Sequence, residues 1–406
     1  MGNRGNPNSL RPPTMLPTLT VLAFAAGTDG ICGTGTAAAQ TWTTEPDYRI
    51  DAPGDWAGGF GRSAYLRVAP NGRRIVVRDA EPVDYTTTEW RILVYSPGGG
   101  LESEMGPDDF AGDLDPPMVV RAGESGFWLR QRDRAAWYPY GGGNPGETVV
   151  FPRGPQLESI FPLATGGFLG LASLSGGYSG WQAVVRLADG DGPDTIAVLD
   201  KRNIWLSIIL RDPRQRRSFR SSLSRQPFPN DDMWWIDPEA GSIGVVRRNG
   251  PPGVAEVFEI LASGDTAWHR RLSLPAVPLS PERAESAIEE KVDGLRAQAE
   301  SYGLTTAQLR TVVEEALHVP SHLPVVSAVV ATASGEVWLK TREVEDDSAV
   351  WYSIRGSDDE SAPRRVLLPG SFWLSDAFGD HVWGFANEDA GPTRIVGLRL
   401  VPPPAR

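Results

Sequence analysis

The chain has 406 residues and a formal net charge of −12, with 51 acidic side chains against 39 basic ones. That balance excludes a nucleic-acid binder, which needs a basic surface to neutralise phosphates. Gly 45, Pro 35, 14 Trp and 40% hydrophobic residues describe short strands joined by tight turns and filled by aromatics rather than a disordered chain. The one cysteine, Cys32, excludes an intrachain disulfide and a cysteine-built zinc site.

Residues 1–39 read as a signal segment: Arg4 and Arg11 carry charge, 16–26 is apolar, and small residues at 36–39 precede cleavage near Ala39. Met15 offers a second start that leaves a segment of ordinary length. The apolar run falls short of the ~20 residues of a spanning helix, so the reading is export to periplasm or exterior with no transmembrane anchor after cleavage. Asp29-Gly30-Ile31 before Cys32 lacks the small residue that lipid attachment requires.

Residues 40–406 then read as a single domain built on a repeat. An apolar stretch, a glycine turn and an alternating aromatic or aliphatic run recur around Gly72, Gly126, Gly167, Gly241, Gly335 and Gly379. Each copy reads as a hairpin whose glycine takes the positive-φ position. A third β-rich run follows each hairpin and in most copies a fourth, for example 101–105 and 364–368, which makes the four-stranded blade of a propeller. The last copy has three strands, and the orphan run 42–51 is expected to supply its fourth and close the ring, removing open sheet edges. The expected fold is thus all-β, a six-bladed propeller closed by an N-terminal strand.

Over residues 47–400 the chain resembles the six-bladed propellers of the NHL/TolB-like kind found in exported bacterial proteins. The resemblance rests on units such as Val94-Tyr-Ser-Pro-Gly-Gly99, on Gln226-Pro-Phe-Pro229, and on a helical insertion before the fifth blade. Asn71, Ser125 and Ser334 stand where such repeats often carry Asp. Some propellers related by this resemblance hold calcium at the central channel and cleave esters or lactones, and the resemblance implies calcium as the alternative cofactor.

Two insertions interrupt the repeat, at 200–230 and 275–322. The first carries Lys201, Arg202, Arg211, Arg214, Arg216, Arg217, Arg220 and Arg225 against Asp212 alone. This is either a solvated face or, through Arg211, Arg214, Arg216, Arg217 and Arg220, a docking surface for an acidic partner. In the second, Ser280 caps a helix with Pro281 in its first turn and a stripe of Ala284, Ile288, Val292, Leu295, Ala299 and Tyr302. Gly303 ends it, and Thr305 to Gln308 has capping-box spacing for a second helix carrying Leu309, Val312, Val313 and Leu317.

Both insertions join a last strand to the next first strand, which puts them on the face of the second-to-third-strand loops. Asp84, Tyr85, Tyr178, Glu345, Asp346, Asp347, Glu388 and Asp389 on that face form the expected ligand-binding rim, suited to a hard cation or a cationic ligand. No G-x-S-x-G, H-E-x-x-H or phosphate-loop motif occurs. His269, His318, His322 and His381 stand singly, and Trp234, Trp235, Trp338, Trp351, Trp373 and Trp383 read as packing between blades, with stacking on a sugar or an aromatic ligand as the alternative. No catalytic residue and no cofactor are assigned. The expectation is a monomeric, non-catalytic binding or scaffold propeller whose partner is a small molecule or a protein. A calcium-dependent ester or lactone hydrolase and an envelope-complex subunit docking through the arginines are the alternatives.

Overall fold

Burial follows the strand pattern of the sequence. Second strands such as Ser242–Arg247 are apolar on both faces and buried almost throughout, while third strands such as Val254–Leu261 bury Ala255 and Val257 in alternation. The computed structural model describes residues 41–403 apart from 52–59, 61–63, 83–87, 111–116, 132–133, 151–156, 164–166, 175–179, 188–193, 202–203, 212–217, 221–223, 238–239, 333, 357–361 and 387–392. The expected signal segment 1–39, with Cys32, lies outside the described residues. No helix among the described residues is long and apolar enough to cross a membrane.

Strand β1 (Thr41–Ile50) opens the described chain. β2 (Tyr65–Val68), β3 (Ile75–Pro82), β4 (Thr88–Tyr95) and β5 (Leu101–Met105) form one antiparallel sheet in that order. β6 (Met118–Ala122), β7 (Gly126–Arg130), β8 (Arg134–Pro139) and β9 (Glu147–Val150) form the next, and β10 (Leu157–Pro162), β11 (Phe168–Ser173), β12 (Trp181–Leu187) and β13 (Asp194–Asp200) the third. The first insertion contributes two two-stranded ribbons, β14 (Trp205–Leu206) with β17 (Ser224–Arg225) and β15 (Ile209–Arg211) with β16 (Ser218–Arg220). β18 (Met233–Asp237), β19 (Ser242–Arg247), β20 (Val254–Leu261) and β21 (Thr266–Ser273) follow. Helices α1 (Pro281–Ser301) and α2 (Thr306–Ala316) lie between β21 and β22 (Val326–Ala331).

β22, β23 (Val337–Glu345), β24 (Ser348–Ile354), β25 (Arg364–Pro369), β26 (Phe372–Phe378), β27 (His381–Ala386) and β28 (Arg394–Val401) complete the chain. With β1 they form one eight-stranded sheet in the order β22-β23-β24-β25-β1-β28-β27-β26. β1 is antiparallel to β28 from Thr43–Val401 to Ile50–Ile395, and touches β25 in parallel only at Thr41–Arg365 and Trp42–Val366. The architecture is an all-β propeller with two α-helices among the described residues. Where six four-stranded units were expected, four separate ones are present among the described residues, because β1 bonds to β25 as well as to β28 and so joins the last two groups.

Apolar clusters fill the space between successive sheets. Val76, Ile92 and Val94 meet Val119, Phe127 and Leu129, and Leu169 and Val184 meet Ile243 and Val245. At the chain's two ends Ile50, Trp383, Phe385 and Ile395 pack on Leu66, Val77 and Leu93. Each such side chain, when fully buried, contributes about 1.5–3 kcal/mol. Buried Asp376 adds a polar tie there, accepting from the Val68 amide at 2.8 Å.

The turn glycines Gly72, Gly167, Gly241, Gly335 and Gly379 take positive φ, between 63° and 80°. Gly126 differs from expectation. It starts β7, and a side chain there would meet the Tyr138 carbonyl at 2.1 Å, so this glycine is required by close packing instead of by φ.

Both helices have the expected caps, with Ser280 accepting from the Arg283 amide and a reciprocal Thr305–Gln308 box. Their buried stripe, Val292, Ala299, Leu309, Val313 and Leu317, packs on Leu206, Ile208 and Leu210 of the first insertion. Buried Gln226 clasps the pair, donating to the Ala316 carbonyl at 3.1 Å and accepting from the His318 amide at 3.2 Å. The two insertions are therefore one substructure.

A candidate ligand cavity where the chain's ends meet

A bulge in β1 builds this site. Pro46 pairs with Leu398 and Tyr48 with Gly397, which leaves Asp47 as the extra residue. A bulge redirects a side chain, and the Asp47 carboxylate reaches across β28 to His381 Nε2 at 3.1 Å. Nδ1 of the same ring lies 2.6 Å from Asp380 in the β26–β27 turn. Residues two apart on a strand share a face, and Trp383 accordingly stacks beneath His381 with centroids 5.8 Å apart and planes 23° apart.

Around this group lies a cavity of about 380 Å³, lined by Asp47, Tyr48, Phe378, Asp380, His381 and Trp383 together with the turns at Asn71–Gly72 and Pro97–Gly98. The turns belong to the sheet β2–β5, so the cavity sits between the first sheet and the strands that close the chain. Its volume falls in the ~300–1,000 Å³ range of small-molecule sites. Asp47 and Asp380 stay 44% and 66% exposed, so their oxygens are open to a ligand. Among the described residues neither Lys nor Arg lines it. Burial, and secondarily the Asp47 charge, raises the Tyr48 phenol well above its ordinary range, keeping it neutral.

A second polar centre lies beneath the insertions. Buried Asp231 accepts from Lys201 Nζ at 3.0 Å and from Arg248 Nη2 at 2.8 Å, and Arg248 Nη1 donates to the Val326 carbonyl at 2.8 Å. Asp232 accepts from the Asp200 amide at 2.9 Å. Its other oxygen is buried with no hydrogen-bond partner, and burial pushes its pKa up to about 6. These bonds join the third sheet, the fourth and β22. The centre is a structural clamp.

Of the expected rim, Asp84, Tyr85, Tyr178, Glu388 and Asp389 lie outside the described residues. Asp346 and Asp347 are the positive-φ residues of the β23–β24 turn, at 47° and 61°, and Glu345 is paired with Arg365 at 2.6 Å. Among the described residues no group of three His, Cys, Asp or Glu could hold a metal. Arg211 and Arg220 lie in β15 and β16, while Arg214, Arg216 and Arg217 lie outside the described residues. Trp338, Trp351 and Trp383 are buried in packing clusters, whereas Trp373 is 62% exposed.

Fold and site together describe a propeller with a ligand-sized cavity at its closure. No protein-family model matches the chain, and no curated protein matches it. Among solved structures it is similar in fold to a protein of unknown function from Dyadobacter fermentans, at 7% identity and TM-score 0.42, covering 88% of this chain and 99% of that one. The β-propeller domain of the Trilobed protease from Pyrococcus furiosus aligns at 8% identity and TM-score 0.33, over 84% and 98% of the two chains. The periplasmic gluconolactonase of Pseudomonas aeruginosa aligns at 12% and 0.32, over 86% and 94%.

Proposed function

We propose that the protein is a non-catalytic binding propeller of six blades, exported to the cell envelope or exterior, that holds a small ligand in the cavity beside His381. The six-blade count is supported by taking the eight-stranded sheet as two blades, β22–β25 and β26–β28 with β1, joined only by the short parallel contact of β1 with β25. Export is supported by the charged, apolar and small-residue order of residues 1–39, and kinship with NHL/TolB-like propellers by the repeated units.

The observation that carries the binding reading is the cavity itself, in which exposed carboxylates, an imidazole and aromatic rings converge. The two hydrogen bonds of the His381 ring go to carboxylates, an arrangement suited to holding a ligand rather than activating a hydroxyl or thiol nucleophile. Thermal unfolding against a panel of anionic, neutral and cationic small molecules tests it, since a ligand of the native state adds about 2.7 kcal/mol at a hundred times its Kd. Gly98 lines the cavity, and a Cβ there meets nothing within 4 Å, so Gly98→Phe fills the space without a backbone clash. Stabilisation by one class, abolished in Gly98→Phe, is the expected result. No stabilisation, or stabilisation indifferent to Gly98→Phe, overturns the reading.

A further inference from the structure

We infer that the cavity takes a small organic cation, an ammonium group carried on an apolar body. This rests on the reading of the cavity as the ligand seat and names the chemistry it selects. The charged side chains that line it are Asp47 and Asp380, both open to solvent, and His381 between them. Among the described residues that line it an anion meets two carboxylates and no Lys or Arg, and Arg399, a cation close enough to feel both Asp47 and Asp380, is itself paired with Glu45 at 2.9 Å. Each carboxylate contacts His381 and stays open to solvent on its remaining side, so a cation is the ligand that adds a charge-assisted bond to both.

The walls decide which cation. Hard metal ions take about six to eight oxygen ligands, and no metal-holding group of three is present among the described residues. The remaining wall is aromatic and apolar, from the half-buried rings of Tyr48 and Phe378 and from Pro97. Ring carbons coordinate no metal, but an ammonium within ~6 Å of an aromatic ring is attracted by its quadrupole, by about 0.5–2 kcal/mol. Carboxylates beside aromatic rings are thus complementary to a charged nitrogen bearing alkyl groups.

Isothermal titration of the full chain with tetramethylammonium chloride tests this directly. Sodium chloride, sodium acetate and glucose are the comparison titrants. Saturable binding of one tetramethylammonium per chain is expected, weakened tenfold or more in Asp380→Asn and in Phe378→Leu. Phe378→Leu retains both carboxylates and serves where an aspartate variant loses its fold, which the melting temperature reports. Saturable binding of acetate or glucose that Gly98→Phe abolishes, with no response to the ammonium ion, overturns the cation and leaves the binding seat standing. Binding of none of them overturns both. Ammonium binding unchanged in Asp380→Asn and Phe378→Leu places the ion elsewhere and overturns the inference.

Discussion

The carboxylate of Asp47 lies 3.1 Å from the imidazole of His381 although 334 positions separate them in the chain. The bulge that frees Asp47 from pairing turns the closing strand into a wall of the cavity. Closure and ligand site therefore share residues.

That sharing makes the closing strand depend on the ring. Asp47 and Asp380 both face the His381 imidazole, and Arg399, paired with Glu45 at 2.9 Å, is the neighbouring charge on β28. His381→Ala removes the side-chain tie between β1 and the β26–β27 turn, so its melting temperature should fall below that of the natural protein.

Asp231→Ala leaves Lys201 and Arg248 as buried cations without their shared carboxylate. Removing one partner of a buried pair costs about 3–5 kcal/mol. Urea unfolding should show a loss of that order, with the denaturant slope unchanged.

Burial disfavours the charge of Asp232 and pushes its carboxyl up to about 6 from an ordinary value of 3.8. A raised carboxyl pKa means the folded state holds the proton more tightly. Its stabilising contribution is complete below about 3.8 and is lost as pH rises through about 6, a change of order 3 kcal/mol at 1.36 kcal/mol per unit. Unfolding free energies across that window should decline for the natural chain more than for Asp232→Asn.

At Gly397 a Cβ would stand 2.6 Å from the Tyr48 ring. Gly397→Ala must push Tyr48 off β28, weakening the seat of β1 and altering the cavity wall. A loss of about 1–3 kcal/mol is expected from such overpacking, read as a lower melting temperature together with weaker ammonium binding.

Much of the fold was legible in the sequence because it depends on local signals. Five of the six turn glycines sit at the positive φ that only glycine adopts freely, and the caps at Ser280 and Thr305 are short-range patterns. Gly126 departs from that pattern because a strand-entry glycine hemmed in by Trp137 and Tyr138 looks, in sequence, like a turn glycine. The packing of the two insertions on each other was not legible. Leu206, Ile208 and Leu210 form too short an apolar run to announce a helix as partner. The cavity is hidden in the sequence for a different reason, since a lone histidine gains meaning only from what pairing brings opposite it. The signal that was available is the assignment of residues 42–51 to the last sheet, which sets Asp47 near His381 once a bulge is allowed.

Closure by β1 also sets the order in which the molecule completes itself. The first described strand waits for one of the last, β28, so the longest-range pairing forms after every local hairpin has had time to fold. The entropy of joining distant segments grows only as the logarithm of their separation, so stability bears little of this burden and kinetics most of it. Until that pairing forms, β28 presents an open row of amides and carbonyls, a template for another copy's strand. A chain truncated before residue 41 and one truncated beyond residue 51 should thus differ less in secondary structure than in their tendency to aggregate while refolding.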